Sequence, residues 1–169
     1  RTEIASELKS LRLYGMASAW DDLLGQGETA ALQSARWLLE HLLQAEGVDR
    51  AMRSVSYQMK AARFPMHRDL AGFDFEASAV ERVLVSQLAS LAFTDQAHNV
   101  VLIGGPGTGK THLASALGIA GITQHGKRVR FYSTVDLVNA LEQEKAQGRA
   151  GRIAASLLHV DLLILDELG

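Results

Sequence analysis

The sequence predicts an α/β fold in which a parallel sheet flanked by helices follows a small all-helical N-terminal module. Only helical spacing of apolar residues occurs before residue 65, whereas from residue 99 onward short apolar runs alternate with helical patterns. A glycine-rich loop stands between the first of those runs and the helix after it. These observations divide the chain into a helical module at 1–64, a connector at 65–76 and an α/β core at 77–169.

The N-terminal module carries three apolar series at helical spacing. They predict helices over residues 8–24, 32–43 and 52–62. Glycines at 25 and 27 end the first series, and the second ends near Gly47. The third helix ends at Phe64 and Pro65, because a residue that precedes proline is biased away from helical geometry.

In the core, the apolar pattern predicts a helix over residues 80–91 and then a βαβαβ order. The predicted strands are 100–103, 129–132 and 160–165, and the predicted helices between them are 111–124 and 135–145. Strands separated by helices of this length form a parallel sheet with helices on its faces, and ligands bind outside the carboxyl ends of such strands. The glycine-rich loop follows the first strand and therefore lies at such an end.

Composition excludes several classes of protein. The chain has 169 residues, 47% hydrophobic and 21% charged, and it has no cysteine, which excludes disulfide frameworks, thiolate nucleophiles and zinc ribbons. No stretch approaches the roughly 18 apolar residues of a membrane span, and the N-terminus lacks a signal-peptide pattern, so we expect a cytoplasmic protein with no membrane partner. The net charge of −2 does not exclude nucleic acid, because positive charge is often local.

The loop at 104–111 reads GGPGTGKT and matches the Walker A spacing without a mismatch. Its glycines allow backbone N–H groups to face phosphate oxygens, and the next helix adds the partial positive charge of its N-terminus. Lys110 is predicted to act on the β- and γ-phosphates of ATP, and Thr111 to ligate Mg²⁺. The predicted cofactor-binding residues are Gly104, Gly105, Pro106, Gly107, Thr108, Gly109, Lys110, Thr111 and His112. The alternatives are a glycine-rich turn without a ligand and, for His112, an ordinary position on the helix surface.

The last apolar run, LLIL at 162–165, ends in two carboxylates. Asp166 is placed beside the loop, where it is predicted to hold Mg²⁺ through water together with Thr111. Glu167 is the predicted catalytic residue, with Lys110, because a second carboxylate at this position orients or deprotonates a water that attacks the γ-phosphate. The alternative for Glu167 is a solvated acid at a strand end. The histidines show no metal-ligand spacing, so Mg²⁺ is the only metal inferred.

With these motifs the chain resembles the AAA+ ATPases and, more closely, the IstB-like transposition helpers and their relatives, the DnaC-like helicase loaders. The resemblance is carried by GGPGTGKTHLASALG at 104–118, VRFYSTVDLVNAL at 129–141, LLILDELG at 162–169, LRLYGMASAW at 11–20 and LAGFDF at 70–75. It implies an ATPase that assembles on duplex DNA, remodels it, and recruits or stimulates a transposase. It also implies self-association into an ATP-dependent oligomer, with the helical module serving oligomerisation, DNA or partner contact.

In the AAA+ family the sensor residues, the arginine finger and the lid follow the acidic strand. The sequence begins at Arg1 and stops at Gly169, just after that strand. We therefore expect a fragment in which residues 77–169 form only the N-terminal part of the AAA+ core, with the rest of the core and the lid absent. Because the trans arginine would be missing, we expect such a fragment to hydrolyse ATP poorly.

Two basic segments are candidates for DNA contact. Arg53, Lys60 and Arg63 lie near one face of the third predicted helix, and spacing of this kind suits phosphate neutralisation without sequence readout. Lys145, Arg149 and Arg152 lie between a helix and the last strand, where the resemblance implies a DNA-facing region. The alternatives are a solvated helix face for the first set and a flexible surface loop for the second.

Two alternative functions remain open. One is a DnaC-like loader whose partner is a replicative helicase rather than a transposase. The other is a P-loop kinase for a small molecule, which the acidic pair and the absence of an evident acceptor pocket disfavour. Phe73 and Phe75 in the connector fit either a position near adenine, which the resemblance implies, or simple packing on the domain edge.

Overall fold

The computed structural model describes residues 2–25 and 35–167. The chain divides into two compact units, Arg1–Ser56 and Tyr57–Gly169. Some sequence-based predictions fall partly outside the described residues: the start of the second helix at Leu32, the helix-ending glycine at 27, and the last two residues of the LLILDELG motif, 168–169.

The N-terminal unit begins with two helices, α1 (Thr2–Ser10) and α2 (Tyr14–Gly25). The prediction of one helix over residues 8–24 was therefore wrong. The break is a left-handed helix end at Arg12, whose φ is 59°, with the N–H of Leu13 donating to the carbonyl of Leu8 at 2.8 Å. Neither glycine nor proline marks this break, so composition alone did not indicate it.

The third helix, α3 (Ala35–Ala62), is continuous over 28 residues. Two separate helices were predicted for this region, and that prediction was wrong. A glycine inside a helix costs only about 1 kcal/mol relative to alanine, so Gly47 does not end it. Ion pairs of Glu46 span the glycine: Glu46 contacts Arg50 at 2.6 Å and Arg53 at 3.5 Å.

A buried carboxylate joins α2 to α3. Glu46 is 5% exposed and accepts the backbone N–H groups of Gly15 at 3.0 Å and Met16 at 3.3 Å. These N–H groups lie in the first turn of α2 and have no acceptor within the helix. The side-chain hydrogen bond from Arg50 lowers the pKa of Glu46, and the two backbone hydrogen bonds act in the same direction against burial. A Cβ on Gly15 would lie 2.5 Å from the Ala45 carbonyl oxygen, so glycine permits this close approach.

The C-terminal unit contains the remaining elements. They are α4 (Arg82–Ala89), α5 (Ala92–Asp95), α6 (Lys110–His125), β1 (Val129–Ser133), α7 (Thr134–Ala146), α8 (Arg152–Leu157) and β2 (Leu162–Asp166). β1 and β2 are parallel, with Val129 beside Leu162 and Ser133 beside Asp166. Parallel pairing was predicted for these two segments and is confirmed.

Helix α6 forms the centre of this unit. Its buried residues include Leu113 and Leu117, which pack in one cluster with Phe73 of the connector and Val85 of α4. Phe73 is 9% exposed, so its aromatic ring packs in the core. The arrangement fixes the N-terminus of α6, where the glycine-rich loop ends.

Arg128 and Asp161 hold the first residues of the sheet together. Asp161 accepts the Arg128 backbone N–H at 2.8 Å, its Nε at 3.1 Å and an Nη at 2.9 Å. The Arg128 side-chain hydrogen bonds lower the pKa of Asp161 to about 2, and the backbone hydrogen bond of Arg128 adds to the effect. The same pairing raises the pKa of Arg128.

The strand predicted at 100–103 is absent, which corrects the βαβαβ order. These residues form no regular secondary structure and have no strand neighbour among the described residues, and Val101 and Ile103 are 73% and 93% exposed. An apolar run becomes a strand only when another strand satisfies its backbone groups, and β2 pairs only with β1 in the described part of the chain.

No helix among the described residues is both long and apolar enough to span a membrane.

Candidate nucleotide-binding site

The glycine-rich loop passes directly into α6. Gly109 is the N-cap of that helix with φ of 87°, and Gly107 has φ of 74°, so both occupy the left-handed region that glycine adopts without strain. A Cβ on Gly109 would also lie 3.2 Å from the Phe73 ring. Glycine therefore brings the loop backbone close to the connector and leaves the first N–H groups of α6 free for an anion.

Lys110 folds back over the loop. Its Nζ donates to the carbonyl oxygens of Gly104 at 2.8 Å and Gly105 at 2.7 Å, and the Thr108 hydroxyl donates to the same Gly105 carbonyl at 2.8 Å. The ammonium group is thus held within the loop by two neutral acceptors. Phosphate oxygens are stronger acceptors for an ammonium than carbonyls, because the hydrogen bond is then between opposite charges.

Thr111 and Asp166 meet across the carboxyl end of β2. The Thr111 hydroxyl donates to Asp166 Oδ2 at 2.7 Å. The structure therefore brings together the two predicted Mg²⁺ ligands. Their oxygens fit this ion, which takes hard oxygen donors, retains several waters and binds through one or two protein groups plus phosphates.

Glu167 directly follows β2 and is exposed. Its φ of 60° is left-handed, so the chain turns sharply after the strand. The peptide between Asp166 and Glu167 is held by Thr134, whose hydroxyl donates to the Asp166 carbonyl at 2.8 Å. The contact of Thr134 was not predicted, although its position at the carboxyl end of the neighbouring strand was a usable signal.

His112 is tied to the connector. A carbonyl only accepts, so His112 Nε2 carries the proton that is donated to the Asp69 carbonyl at 3.0 Å. The His112 ring also meets Phe73 edge to face, with centroids 5.2 Å apart. The sequence carried no signal for the Asp69 contact, because a backbone carbonyl is present at every position.

The basic residues proposed for DNA contact differ in their surroundings. Arg53 is paired with Asp49 at 2.6 Å and Glu46 at 3.5 Å, and its guanidinium lies 5.1 Å from the centre of the Tyr14 ring. The other candidates are exposed and have no ion pair within residues 2–25 and 35–167: Lys60, Arg63, Lys145, Arg149 and Arg152.

Several known proteins that are similar to this chain are named as insertion-sequence proteins. The family profile described as "IstB-like ATP binding protein" matches residues 6–169. The "Insertion sequence IS21 putative ATP-binding protein" of Pseudomonas aeruginosa is 35% identical over 168 residues, covering 99% of this chain and 63% of that protein. The "Insertion sequence IS5376 putative ATP-binding protein" of Geobacillus stearothermophilus is 31% identical over 160 residues, covering 94% and 63%.

A third relative is also named as an insertion-sequence ATP-binding protein. The "Putative insertion sequence ATP-binding protein y4iQ/y4nD/y4sD" of Sinorhizobium fredii is 33% identical over 165 residues, covering 95% of this chain and 54% of that protein. The chain thus spans between 54% and 63% of the length of these three curated relatives.

Proposed function

The chain belongs to the family of IstB-like ATP-binding proteins, and from that premise we propose that it is an ATP-dependent helper of DNA transposition. In this proposal it binds ATP and Mg²⁺ at the 104–111 loop, hydrolyses ATP, and assembles on duplex DNA to recruit or stimulate a transposase. The single observation that carries the proposal is the Thr111 to Asp166 hydrogen bond of 2.7 Å, which supports one site built from the loop and the acidic strand.

The chemistry assigned to each side chain follows from that geometry. Lys110 exchanges its two carbonyl partners for phosphate oxygens and stabilises the charge that develops on them. Thr111 and Asp166 hold Mg²⁺ and its water shell, and the ion supplies further neutralisation of phosphate charge. Glu167, exposed at the end of β2, orients the attacking water and accepts its proton.

Two observations support the proposals of DNA binding and of a partner from transposition. The printed names of the relatives place those proteins in insertion sequences, and the exposed cations at 145–152 have no ion pair in the described part of the chain. Unpaired cations of this kind favour a phosphate backbone over a specific base sequence. We further propose that the protein self-associates, has a transposase as its partner and is located in the cytoplasm.

Because the chain spans less than two thirds of the length of the three relatives named above, the experiments use the full-length gene product. The first measures phosphate release from ATP and Mg²⁺ with no added acceptor, which we expect to be above background and lost in Lys110→Ala. Phosphate release equal to background, with transfer to a small-molecule acceptor instead, contradicts the proposal and favours a kinase.

A pull-down from the native cell separates the two partner hypotheses. We expect recovery of a transposase. Recovery of a replicative helicase without a transposase would favour the helicase-loader function.

A further inference from the structure

The 145–152 turn, which runs from the last turn of α7 to the first residue of α8, presents three exposed cations, Lys145, Arg149 and Arg152. None of them has an ion pair with any residue that the structure describes. By contrast, Arg53 and Arg128 are neutralised by nearby carboxylates. The turn is therefore a concentrated region of positive charge that stays available for an external anion.

Glu144 contacts both ends of the turn. Its backbone carbonyl accepts the N–H of Arg149 at 2.9 Å, and its side-chain Oε1 accepts the N–H of Ile153 at 3.0 Å. The first bond, together with Gly148 at φ of 66°, ends α7 in a left-handed helix cap. The second bond fixes the other side of the turn, so Glu144 holds both of its ends.

The side-chain hydrogen bond of Glu144 caps the first turn of α8. The N-cap of α8 is Gly151, with φ of 96°, and no side-chain cap comes from it. The N–H of Ile153 in the first turn would then lack a partner, and the Glu144 carboxylate supplies one from the preceding helix. Glu144 is only 8% exposed, although it lies in a sequence of otherwise exposed residues.

We propose that Glu144 is a positioning residue that fixes the 145–152 turn so that Lys145, Arg149 and Arg152 form a preformed surface for the phosphate backbone of duplex DNA. The inference rests on the proposed function in DNA binding and adds to it the residue that organises the surface. A fixed turn loses less conformational entropy when it binds than a flexible one does.

The charge and the hydrogen-bond acceptor of Glu144 are expected to change DNA affinity in opposite directions. A carboxylate beside three cations opposes the binding of a polyanion, so removing its charge alone strengthens DNA binding. Removing its hydrogen-bond acceptor loosens the turn and weakens DNA binding. The two effects have opposite directions, and two variants separate them.

The experiment measures duplex DNA affinity of the full-length protein against salt concentration, for Glu144→Gln, Glu144→Ala and the wild type. The glutamine retains an oxygen acceptor for the Ile153 N–H without the charge, so we expect affinity equal to or tighter than wild type. The alanine lacks the acceptor, so we expect affinity roughly 3- to 10-fold weaker. Glu142→Ala, an exposed acid on the same helix, is the matched control and should bind at least as tightly as wild type.

Hydrogen exchange gives a readout without DNA. In Glu144→Ala the Ile153 amide should lose protection, whereas in Glu144→Gln it should retain it. Two results would overturn this inference and leave the proposed function intact. One is that Glu144→Ala binds DNA as tightly as Glu142→Ala, and the other is that the Ile153 amide in Glu144→Ala exchanges at the wild-type rate. A wild-type protein that shows no salt-dependent DNA binding overturns the proposed function and the inference with it.

Discussion

The hydroxyl of Thr111 lies 2.7 Å from Asp166 Oδ2, although 55 positions separate the two residues in the chain. Thr111 is in the first turn of α6, and Asp166 is the last residue of β2. This hydrogen bond joins the glycine-rich loop to the acidic strand.

Replacing Thr111 by valine should weaken ATP binding only when Mg²⁺ is present. The hydroxyl is a proposed ligand of the ion, so we expect a loss of about tenfold or more in ATP affinity with Mg²⁺ and little change in EDTA. Titration with a fluorescent ATP analogue under both conditions measures this. Thr111→Ser retains the hydroxyl and should behave as wild type, and equal losses in EDTA and Mg²⁺ would count against a metal-ligand role.

Replacing Lys110 by alanine should weaken ATP binding whether or not Mg²⁺ is present. The variant loses charged hydrogen bonds to phosphate, each of which contributes about 1.5–3 kcal/mol, so an affinity loss of at least tenfold is expected. Isothermal titration calorimetry measures it directly. Lys9→Ala, a change at an exposed lysine of α1, is the control. Unchanged ATP affinity in Lys110→Ala would place the nucleotide elsewhere.

Replacing Glu167 by glutamine should separate binding from hydrolysis. The amide cannot accept a proton from water, so phosphate release should fall by about 100-fold or more while ATP affinity stays within a factor of two. Single-turnover hydrolysis and an ATP titration on the same preparation test this. Glu142→Gln, on α7, should hydrolyse ATP at the wild-type rate. If Glu167→Gln does so as well, Glu167 is a solvated acid at a strand end.

Acid should remove the contribution of Asp161 to stability. Its pKa is lowered from 3.8 to about 2, so the stabilisation is present above pH 3.8 and is lost as the pH falls through about 2. The pair is solvent-exposed, so Asp161→Asn should cost only about 1 kcal/mol at neutral pH. Thermal unfolding from pH 7 to pH 2 should show this difference shrinking below pH 4.

A matched variant controls for the general loss of a surface ion pair. Asp95→Asn removes the more exposed pair with Lys127, in which the aspartate side chain is 68% exposed. Asp95→Asn should lower the free energy of unfolding at neutral pH by less than Asp161→Asn does. A larger cost for Asp95→Asn would contradict the structural role given to Asp161.

Two glycines of the N-terminal unit should respond oppositely to alanine. A Cβ at Gly15 would clash with the Ala45 carbonyl and Asp49, so Gly15→Ala should destabilise by about 1–3 kcal/mol. A Cβ at Gly47 meets nothing within 4 Å, so Gly47→Ala should stabilise α3 by about 1 kcal/mol. Urea unfolding of both variants tests this, and destabilisation by Gly47→Ala would contradict the continuous helix.

The sequence predicted well where local pattern and motif determined the structure. The apolar run at 162–165 ends in Asp166, and it forms β2 as expected, parallel to β1. The failures lie where structure depends on non-local contacts or on unusual backbone geometry. The run at 100–103 was indistinguishable from a paired strand, because hydrophobicity does not encode the presence of a neighbour.

Sequence-based prediction was limited in the same way at the helix ends and at the site. The left-handed Arg12 ends α1 without a glycine, whereas α3 continues past Gly47, across which Glu46 pairs with Arg50. At the site, the motif predicted that Thr111 and Asp166 serve the same ligand. The motif does not include Thr134, whose hydroxyl donates to the Asp166 carbonyl; the signal for that contact is the position of Thr134 just after β1, the strand beside β2.

The most direct test of the proposed function is duplex DNA binding by the full-length protein with and without ATP and Mg²⁺, for wild type and Lys110→Ala. We expect that ATP tightens salt-sensitive DNA binding and increases the size of the assembly in the wild type, and does neither in Lys110→Ala. Wild-type DNA affinity and assembly size that are both unchanged by ATP would contradict it.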